Sequence, residues 1–280
     1  MTESNPRPSI LAGRWYPADP NQLRESVDRY LADAQVPEIQ GQILGLISPH
    51  AGHIYSGPVA GYSFAAVINT APDLAVILAP LHQPYSGKLL TTSHTAYQTP
   101  LGSIPVDTQC LEELQTVLHE NHSLELASIS NDQEHSIEIL LPFLQRSLEP
   151  GFKILPVMIR DQRSETMQAL AAVLADLLQE KNYLLIASTD LSHFHPAEEA
   201  ELLDRTIIDG ITALDPASMY QAEAEGRGSA CGLGGLAAVI WTARELGVNR
   251  GIHLKYAHSG HTSGDFNRVV GYEAAALVQE

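Results

Sequence analysis

The fold is decided by residues 43–80, "ILGLISPHAGHIYSGPVAGYSFAAVINTAPDLAVILAP". Two short apolar runs, 43–50 and 73–80, begin and end this stretch, and a proline lies at or near the end of each run. Such runs are typical of strands that are buried on both faces of a sheet. Between them, residues 56–70 have the length and the apolar spacing of a crossover helix. The stretch therefore predicts a right-handed βαβ unit, which implies a parallel sheet.

The same alternation of strands and helices continues along the chain. Apolar runs predict further strands at 152–160, 183–190, 252–260 and 267–279, and helical periodicity is present at 108–122, 134–148, 164–182, 196–214 and 232–247. Residues 88–107 predict an extended excursion with a turn at 100–102. We therefore expect one α/β domain over residues 1–280, with three layers: a mostly parallel central sheet and helices on both faces. The order and direction of the last strands stay open.

Composition limits the classes of function. Hydrophobic residues make up 44% of the chain and charged residues 18%, which is enough apolar material for a large core. The formal net charge of -17 argues against a nucleic-acid partner, because such partners need clustered Lys and Arg. No segment approaches the roughly 20 apolar residues of a membrane span, and the N-terminus lacks a secretory pattern. Together with only two cysteines, this predicts a cytoplasmic protein without a membrane partner.

Polar residues follow the predicted strands at the points where the strands end. In an open α/β sheet, ligands bind outside the carboxyl ends of the strands, so these residues are the first site candidates. One more candidate precedes a glycine-rich helix start, whose dipole would favour a thiolate. The candidates are His50, His82, Asp190, His193, His195 and Cys231. Imidazole and thiolate ligands at one rim indicate a metal site, and three protein ligands would leave positions open for water or substrate.

The remaining histidines and the second cysteine have weaker support. His53, His94, His119, His122 and His253 lack a position at a strand end, and we expect them at the surface. Cys110 lies on one face of an amphipathic helix, so core packing is its expected role. His135 and Glu138 begin the 134–148 segment, which is either a plain amphipathic helix or one that faces the rim.

Six short strings extend this pattern over nearly the whole chain. They are "AGRWYP" at 12–17, "PHAGHIYSG" at 49–57, "APLHQPYSG" at 79–87, "EHSIEILLPFL" at 134–144, "STDLSHF" at 188–194 and "CGLGG" at 231–235. In this order they resemble the Memo family, named for the mediator of ErbB2-driven cell motility, whose prokaryotic members are called AmmeMemoRadiSam system protein B.

The resemblance implies a fold similar to class III extradiol dioxygenases and a pocket that binds iron or, in some members, copper. Residue by residue, it implies the metal ligands His50, His82 and Cys231, with Asp190 and His193 beside them and Trp15 and Tyr55 lining the pocket. Asp190 and His193 would then serve as an acid and base pair or would orient the ligands. Two departures stand out: His53 occupies a position where the family usually has Tyr, and "APLHQ" replaces the usual "GPSHH" but keeps His82.

Three functions are compatible with this pattern. The first is a metal-dependent redox enzyme with Fe2+ as the first choice of metal, although Cys231 replaces the carboxylate ligand of true extradiol enzymes. The second is a non-catalytic module that binds a peptide, a small molecule or a protein; the prokaryotic family name implies an AMMECR-type protein and a radical SAM enzyme as partners. The third is a zinc hydrolase, which ranks lower because the chain lacks an H-E-x-x-H motif.

Overall fold

A computed structural model of the protein describes residues 5–280. In this part of the chain the helices are α1 (Pro20–Asp33), α2 (His53–Ala65), α3 (Thr108–His122), α4 (Leu141–Ser147), α5 (Ser164–Leu178), α6 (Ala197–Thr212), α7 (Pro216–Ala224), α8 (Leu233–Glu245) and α9 (Gly260–Ser263). The strands are β1 (Pro6–Arg7), β2 (Gln42–Ser48), β3 (Leu74–Pro80), β4 (Leu89–Thr92), β5 (Ala96–Thr99), β6 (Gly102–Pro105), β7 (Leu126–Ile129), β8 (Lys153–Ile159), β9 (Tyr183–Ser188), β10 (His193–His195), β11 (Arg250–His258) and β12 (Val269–Gln279).

The large sheet is mixed. Its strand order is β10, β12, β2, β9, β3, β8, β4 and β7. β11 pairs with β12 along the edge opposite to β2. The central strands β2, β9, β3 and β8 are parallel, whereas β12 is antiparallel to β2 and β4 is antiparallel to β8. The expectation of a mostly parallel sheet therefore holds for the centre and is wrong at both sides. On the β12 side, residues 259–268 are too short for a parallel crossover, so β11 and β12 pair antiparallel.

The 43–80 stretch forms the strand–helix–strand unit that its sequence predicts. β2 and β3 run parallel, but β9 lies between them and pairs with both. The registers Gly45↔Leu185 and Leu74↔Tyr183 fix these three strands against each other. As a result, the carboxyl ends of β2, β3 and β9 lie at the same edge of the sheet.

Helices pack in two groups, as an α/β fold requires. α2 packs against β2, β11 and β12, and α1 and α4 pack against α2. α8 packs against β2, β3 and β9, and α5 and α7 pack against α8. Because α2 and α8 both contact β2 but belong to separate groups, they cover opposite faces of the sheet. Every helix in residues 5–280 is too short or too polar to cross a membrane.

Several regions differ from the sequence expectation, among them helix α1, helix α7, strands β7 and β10, and the segment before α4. α1 was not predicted, although Asp19 caps it by accepting hydrogen bonds from the backbone of residues 21 and 22, and Leu23, Val27 and Leu31 form its buried stripe. The predicted helix at 134–148 begins only with a short 3-10 turn at Glu138–Leu140, followed by α4. Residues 134–137 are therefore irregular. The 88–107 excursion contributes β4 to the large sheet and β5 and β6, together with β1, to a small three-stranded sheet.

Candidate metal centre

The candidate site lies at the edge where the parallel strands end. His50 comes two residues after β2, His82 two residues after β3, and Asp190 two residues after β9. This placement follows from the parallel arrangement of the three strands, since their carboxyl ends meet at one edge. The prediction that these three residues follow the ends of neighbouring strands is therefore confirmed.

Three imidazoles converge at this edge. His50, His82 and His135 each offer one nitrogen, and these nitrogens all lie within 4.8 Å of one another. The rings of His82 and His135 are stacked with centroids 4.6 Å apart, and the ring of His50 stands edge-on to both. The third imidazole, His135, comes from the irregular segment before α4. The sequence left open whether this segment faces the rim, and at His135 it does.

Hydrogen bonds fix the tautomer of His50. Its Nδ1 lies 2.9 Å from the hydroxyl of Ser188, and that hydroxyl itself donates to the carbonyl of Ser136 at 2.6 Å. Nδ1 must therefore carry the hydrogen and donate it to Ser188, which leaves the lone pair on Nε2. His50 is buried, and burial followed by the nearby His135 and His82 lowers its pKa well below the usual value. The ring is neutral, as a metal ligand must be.

Glu134 lies beside both of the other imidazoles and fixes the ring of His82. Its carboxylate accepts hydrogen bonds from Nδ1 of His82 at 2.9 Å and from the backbone N–H groups of His82, His135 and Ser136. Nδ1 of His135 lies 3.1 Å from the same carboxylate. Burial favours the protonated acid, but these bonds and the nearby imidazoles hold the pKa of Glu134 at about 2. A carboxylate that binds Nδ1 leaves Nε2 free for a metal, which is the usual support of metal-binding histidines.

Trp15 covers His135 from the side of the N-terminal segment. The two ring centroids are 4.4 Å apart. Burial lowers the pKa of His135 to about 4, against the opposing charge of Glu134. His50 and His135 can therefore present an unprotonated nitrogen at neutral pH.

Cys231 lies beside the cluster. Its Sγ is 3.2 Å from Nε2 of His50, and the backbone N–H of Asp190 donates to the sulfur at 3.3 Å. Burial, and after it the nearby carboxyl of Asp190, raises the pKa of the thiol, so the helix dipole does not produce a thiolate in the metal-free protein. A bound metal would still deprotonate the sulfur.

Asp190 and His193 line the same space. The Asp190 carboxylate accepts the backbone N–H of His50 at 2.8 Å, and burial raises its pKa to about 7. Nδ1 of His193 lies 2.8 Å from the carbonyl of Leu191, which can only accept, so its Nε2 keeps the lone pair. Burial lowers the pKa of His193. Asp190, which exchanges a proton near neutral pH, and the neutral imidazole of His193 therefore lie beside the cluster.

A cavity of about 410 Å³ opens above the imidazoles. Trp15 and Tyr55, the pocket residues implied by the resemblance, both line it. Sequence reasoning missed other lining residues, chiefly Arg14, Ile54, Phe194, Val270 and Tyr272. Ile54, Tyr55 and Phe194 are large apolar side chains with 64%, 42% and 60% of their area exposed. The walls are thus mainly apolar and the floor is polar, as in many small-molecule sites.

Other candidate residues lie elsewhere. His53 and His94 are buried, so the expectation that they lie at the surface is wrong. Nε2 of His53 donates to the carbonyl of Ile139, and Nδ1 of His94 lies 3.1 Å from the carbonyl of Asn5, so both rings have structural partners. His119, His122 and His253 are exposed and Cys110 is buried, as predicted.

Two further candidates are excluded from the cluster by their partners. His195 pairs with Glu199 on the first turn of α6 at 2.9 Å. Glu138 is fully buried and binds the guanidinium of Arg7 at 2.6 Å. Of the two residues that the sequence left open, His135 therefore faces the rim and Glu138 does not.

Comparison with known proteins agrees with the sequence pattern. The family model described as Memo-like protein matches residues 7–276. A MEMO1 family protein of Nitrosopumilus maritimus is 33% identical, and the match covers 97% of this chain and 99% of that protein. MEMO1 family proteins of Methanopyrus kandleri and Thermotoga neapolitana are 36% and 35% identical, with 96% and 97% of this chain and 97% and 99% of those proteins covered. With a family match over nearly all of its length, the chain belongs to the Memo family.

Proposed function

We propose that the protein holds an iron ion on His50 and His82, with His135 or Cys231 as a third ligand, and uses it for redox chemistry on a small apolar molecule. The observation that carries this proposal is the convergence of three imidazoles within 4.8 Å, each with its Nδ1 facing a hydrogen-bonding group. The donor set fits the metal, because neutral imidazoles with open positions beside them suit Fe2+. A fold similar to class III extradiol dioxygenases is part of the same proposal.

Bound Fe2+ would supply a centre at which O2 and an organic substrate meet. The protein's own residues do the rest. Ser188 and Glu134 hold the imidazoles of His50 and His82 in the metal-binding tautomer, and the apolar walls limit the water in the cavity. Asp190 and Nε2 of His193 are placed to take up or release a proton of a substrate in the cavity.

The test uses protein purified without oxygen and titrated with Fe2+. Trp15 is one of two tryptophans. The other, Trp241 of α8, stacks on Tyr220 of α7, so a Trp241→Phe variant reports on the pocket alone. We expect quenching of Trp15 that saturates near one iron per chain, and O2 uptake when air is admitted with a substrate. No quenching and no bound iron would refute the centre. Retention of copper or zinc in preference to iron would correct the metal.

Cys231 and Cys110 form a matched pair that tests the third ligand. Replacing Cys231 by Ser removes the sulfur 3.2 Å from His50 Nε2, and we expect metal retention to fall by about 10-fold or more. Cys110→Ser changes a cysteine on α3 that is remote from the cluster, and we expect retention to stay unchanged. Equal retention in both variants would exclude Cys231 and leave His135 as the third ligand.

A non-catalytic binding module is the second candidate. The observation in its favour is the exposed apolar rim formed by Ile54, Tyr55 and Phe194, since such patches mark binding sites. Under this proposal the pocket binds a peptide or a protein, with an AMMECR-type protein and a radical SAM enzyme as partners in the cytoplasm. Stoichiometric iron without O2 uptake, together with copurification of either partner, would favour this function over the enzyme.

A further inference from the structure

Arg7 is a buried cation that none of the site chemistry uses. It is 1% exposed and lies in β1, which is only two residues long. Its guanidinium binds Asp132 through two bonds of 3.1 and 2.9 Å and binds Glu138 at 2.6 Å. The ring of Tyr97 lies 5.0 Å away on the neighbouring strand β5. A buried charge is expensive, so this arrangement persists only because nearly every donor of Arg7 has a partner.

The partners of Arg7 lie at the two ends of residues 132–138, the segment that contributes Glu134 and His135 to the candidate metal centre. Asp132 stands at the beginning of this segment and Glu138 at its end. Between them, Nη2 of Arg7 donates to the carbonyl oxygen of Glu134 at 2.8 Å. The backbone N–H of Glu134 in turn donates to Asp132 at 3.1 Å. Residues 132–138 are mostly irregular, so these bonds to Arg7 replace the support that a helix or a sheet would give.

The N-terminal segment fixes Glu138 from the other side. The Glu138 carboxylate accepts hydrogen bonds from the hydroxyls of Ser9 and Tyr16, at 3.0 and 2.7 Å, and from the backbone N–H of Leu11 at 2.9 Å. The same segment contributes Trp15, whose ring contacts His135. One stretch of chain thus binds both ends of the 132–138 segment and one imidazole of the cluster.

We propose that Arg7 is a positioning residue of the metal centre, which fixes the 132–138 segment so that Glu134 and His135 stay aligned with His50 and His82. The inference rests on the proposed metal site and adds a residue that does not contact the imidazoles itself. The path has two steps: Arg7 holds the backbone of Glu134, and the carboxylate of Glu134 holds Nδ1 of His82 and the backbone N–H of His135.

The substitution that tests this inference is Arg7→Lys in the full chain. Lysine keeps a positive charge between Asp132 and Glu138 but cannot reproduce the two-bond contact and the bond to the Glu134 carbonyl. We expect Fe2+ affinity, measured without oxygen in competition with a chelator, to fall about 10-fold.

The matched control is Thr242→Val, which removes a buried hydrogen bond to the Ala171 carbonyl. Thr242 lies in the last turns of α8, whereas Cys231 precedes the start of that helix. The control variant should lower the unfolding temperature of the metal-free protein and leave Fe2+ affinity unchanged.

A double-mutant cycle separates positioning from a general loss of stability. In a Glu134→Gln background the link between the segment and the imidazoles is already weakened, so adding Arg7→Lys should cost little further affinity. A full 10-fold loss in both backgrounds would overturn the inference. If Arg7→Lys does not fold, Tyr16→Phe removes one donor to Glu138 and should weaken Fe2+ binding less, but in the same direction.

The outcomes distinguish this inference from the proposed function. Tight Fe2+ binding by the wild-type chain with unchanged binding by Arg7→Lys and Tyr16→Phe would overturn the inference alone. Failure of the wild-type chain to bind Fe2+ would overturn the proposed function and the inference together.

Discussion

Replacement of His50 by alanine is expected to remove metal binding almost completely. His50 is the ligand candidate with the most complete support, since its Nδ1 is fixed by Ser188 and its Nε2 faces both the other imidazoles and Cys231. Changes in residues that only orient metal ligands cost about 10–100-fold in affinity, and loss of a ligand should exceed that range. The measurement is Fe2+ content after anaerobic purification, together with Fe2+ affinity from chelator competition.

The His50→Ala variant should fold, which makes the result interpretable. After the change, the Ser188 hydroxyl still donates to the Ser136 carbonyl, and the Cys231 thiol can still donate to the Asp190 carbonyl. No buried donor therefore loses its only acceptor. His122→Ala is the matched control, since His122 is an exposed histidine at the end of α3. Retention of iron by His50→Ala at the wild-type level would show that the metal binds elsewhere.

The part of the site that follows from strand ends was predictable from sequence. Apolar runs that stop at a proline or a polar residue locate the ends of β2, β3 and β9, and a parallel sheet brings those ends together. This logic needs no long-range information, and it places His50, His82 and Asp190 just after the strand ends, where the structure has them. The stripe and cap of α1 were equally visible in the sequence, so that omission was avoidable.

The rest of the site depends on contacts that a periodic pattern does not contain. His135 enters the cluster from an irregular segment, and the position of that segment is set by Arg7, 125 residues from Asp132 in the chain. The burial of His53 depends on the carbonyl of Ile139 and on the ring of Phe143, which also come from a distant segment. A lone histidine carries no sequence signal for its burial, since the polar partner that permits burial lies elsewhere in the chain.

Replacement of Glu273 by glutamine is expected to stabilise the protein at alkaline pH. Glu273 lies on β12 with no exposed area; its Oε1 is 2.7 Å from Nδ1 of His253, and its Oε2 has no partner within residues 5–280. Burial raises the pKa of Glu273 from 4.5 to about 7, although the bond to His253 opposes the shift. Such a shift corresponds to about 3 kcal/mol of folding free energy that is lost when the carboxylate ionises.

The pH dependence follows from the sign of this shift. The folded state binds the proton more tightly than the unfolded state, so the stabilisation is complete below pH 4.5 and is lost as pH rises through about 7. Glutamine mimics the protonated acid and can still accept the bond from His253. Urea unfolding should therefore show nearly equal stability at about pH 5, and a more stable variant, by up to about 3 kcal/mol, at about pH 8.5.

The exposed pair His195 and Glu199 provides the control for the buried pair. Glu199→Gln changes the same chemical groups at a similar separation, 2.9 Å. Because the Glu199 side chain is 57% exposed, stability should stay within about 0.5 kcal/mol at both pH values. The alternative to a neutral Glu273 is a charged His253–Glu273 ion pair. The hydrogen bond to Glu273 favours this ion pair, because it raises the pKa of His253. Burial of the carboxyl decides the state of the pair, since the His253 side chain is 43% exposed and its charge is screened by water, whereas the Glu273 carboxyl is enclosed. A Glu273→Gln variant that is less stable than the wild type at about pH 8.5 would show that the ion pair, and not the neutral acid, is the native state.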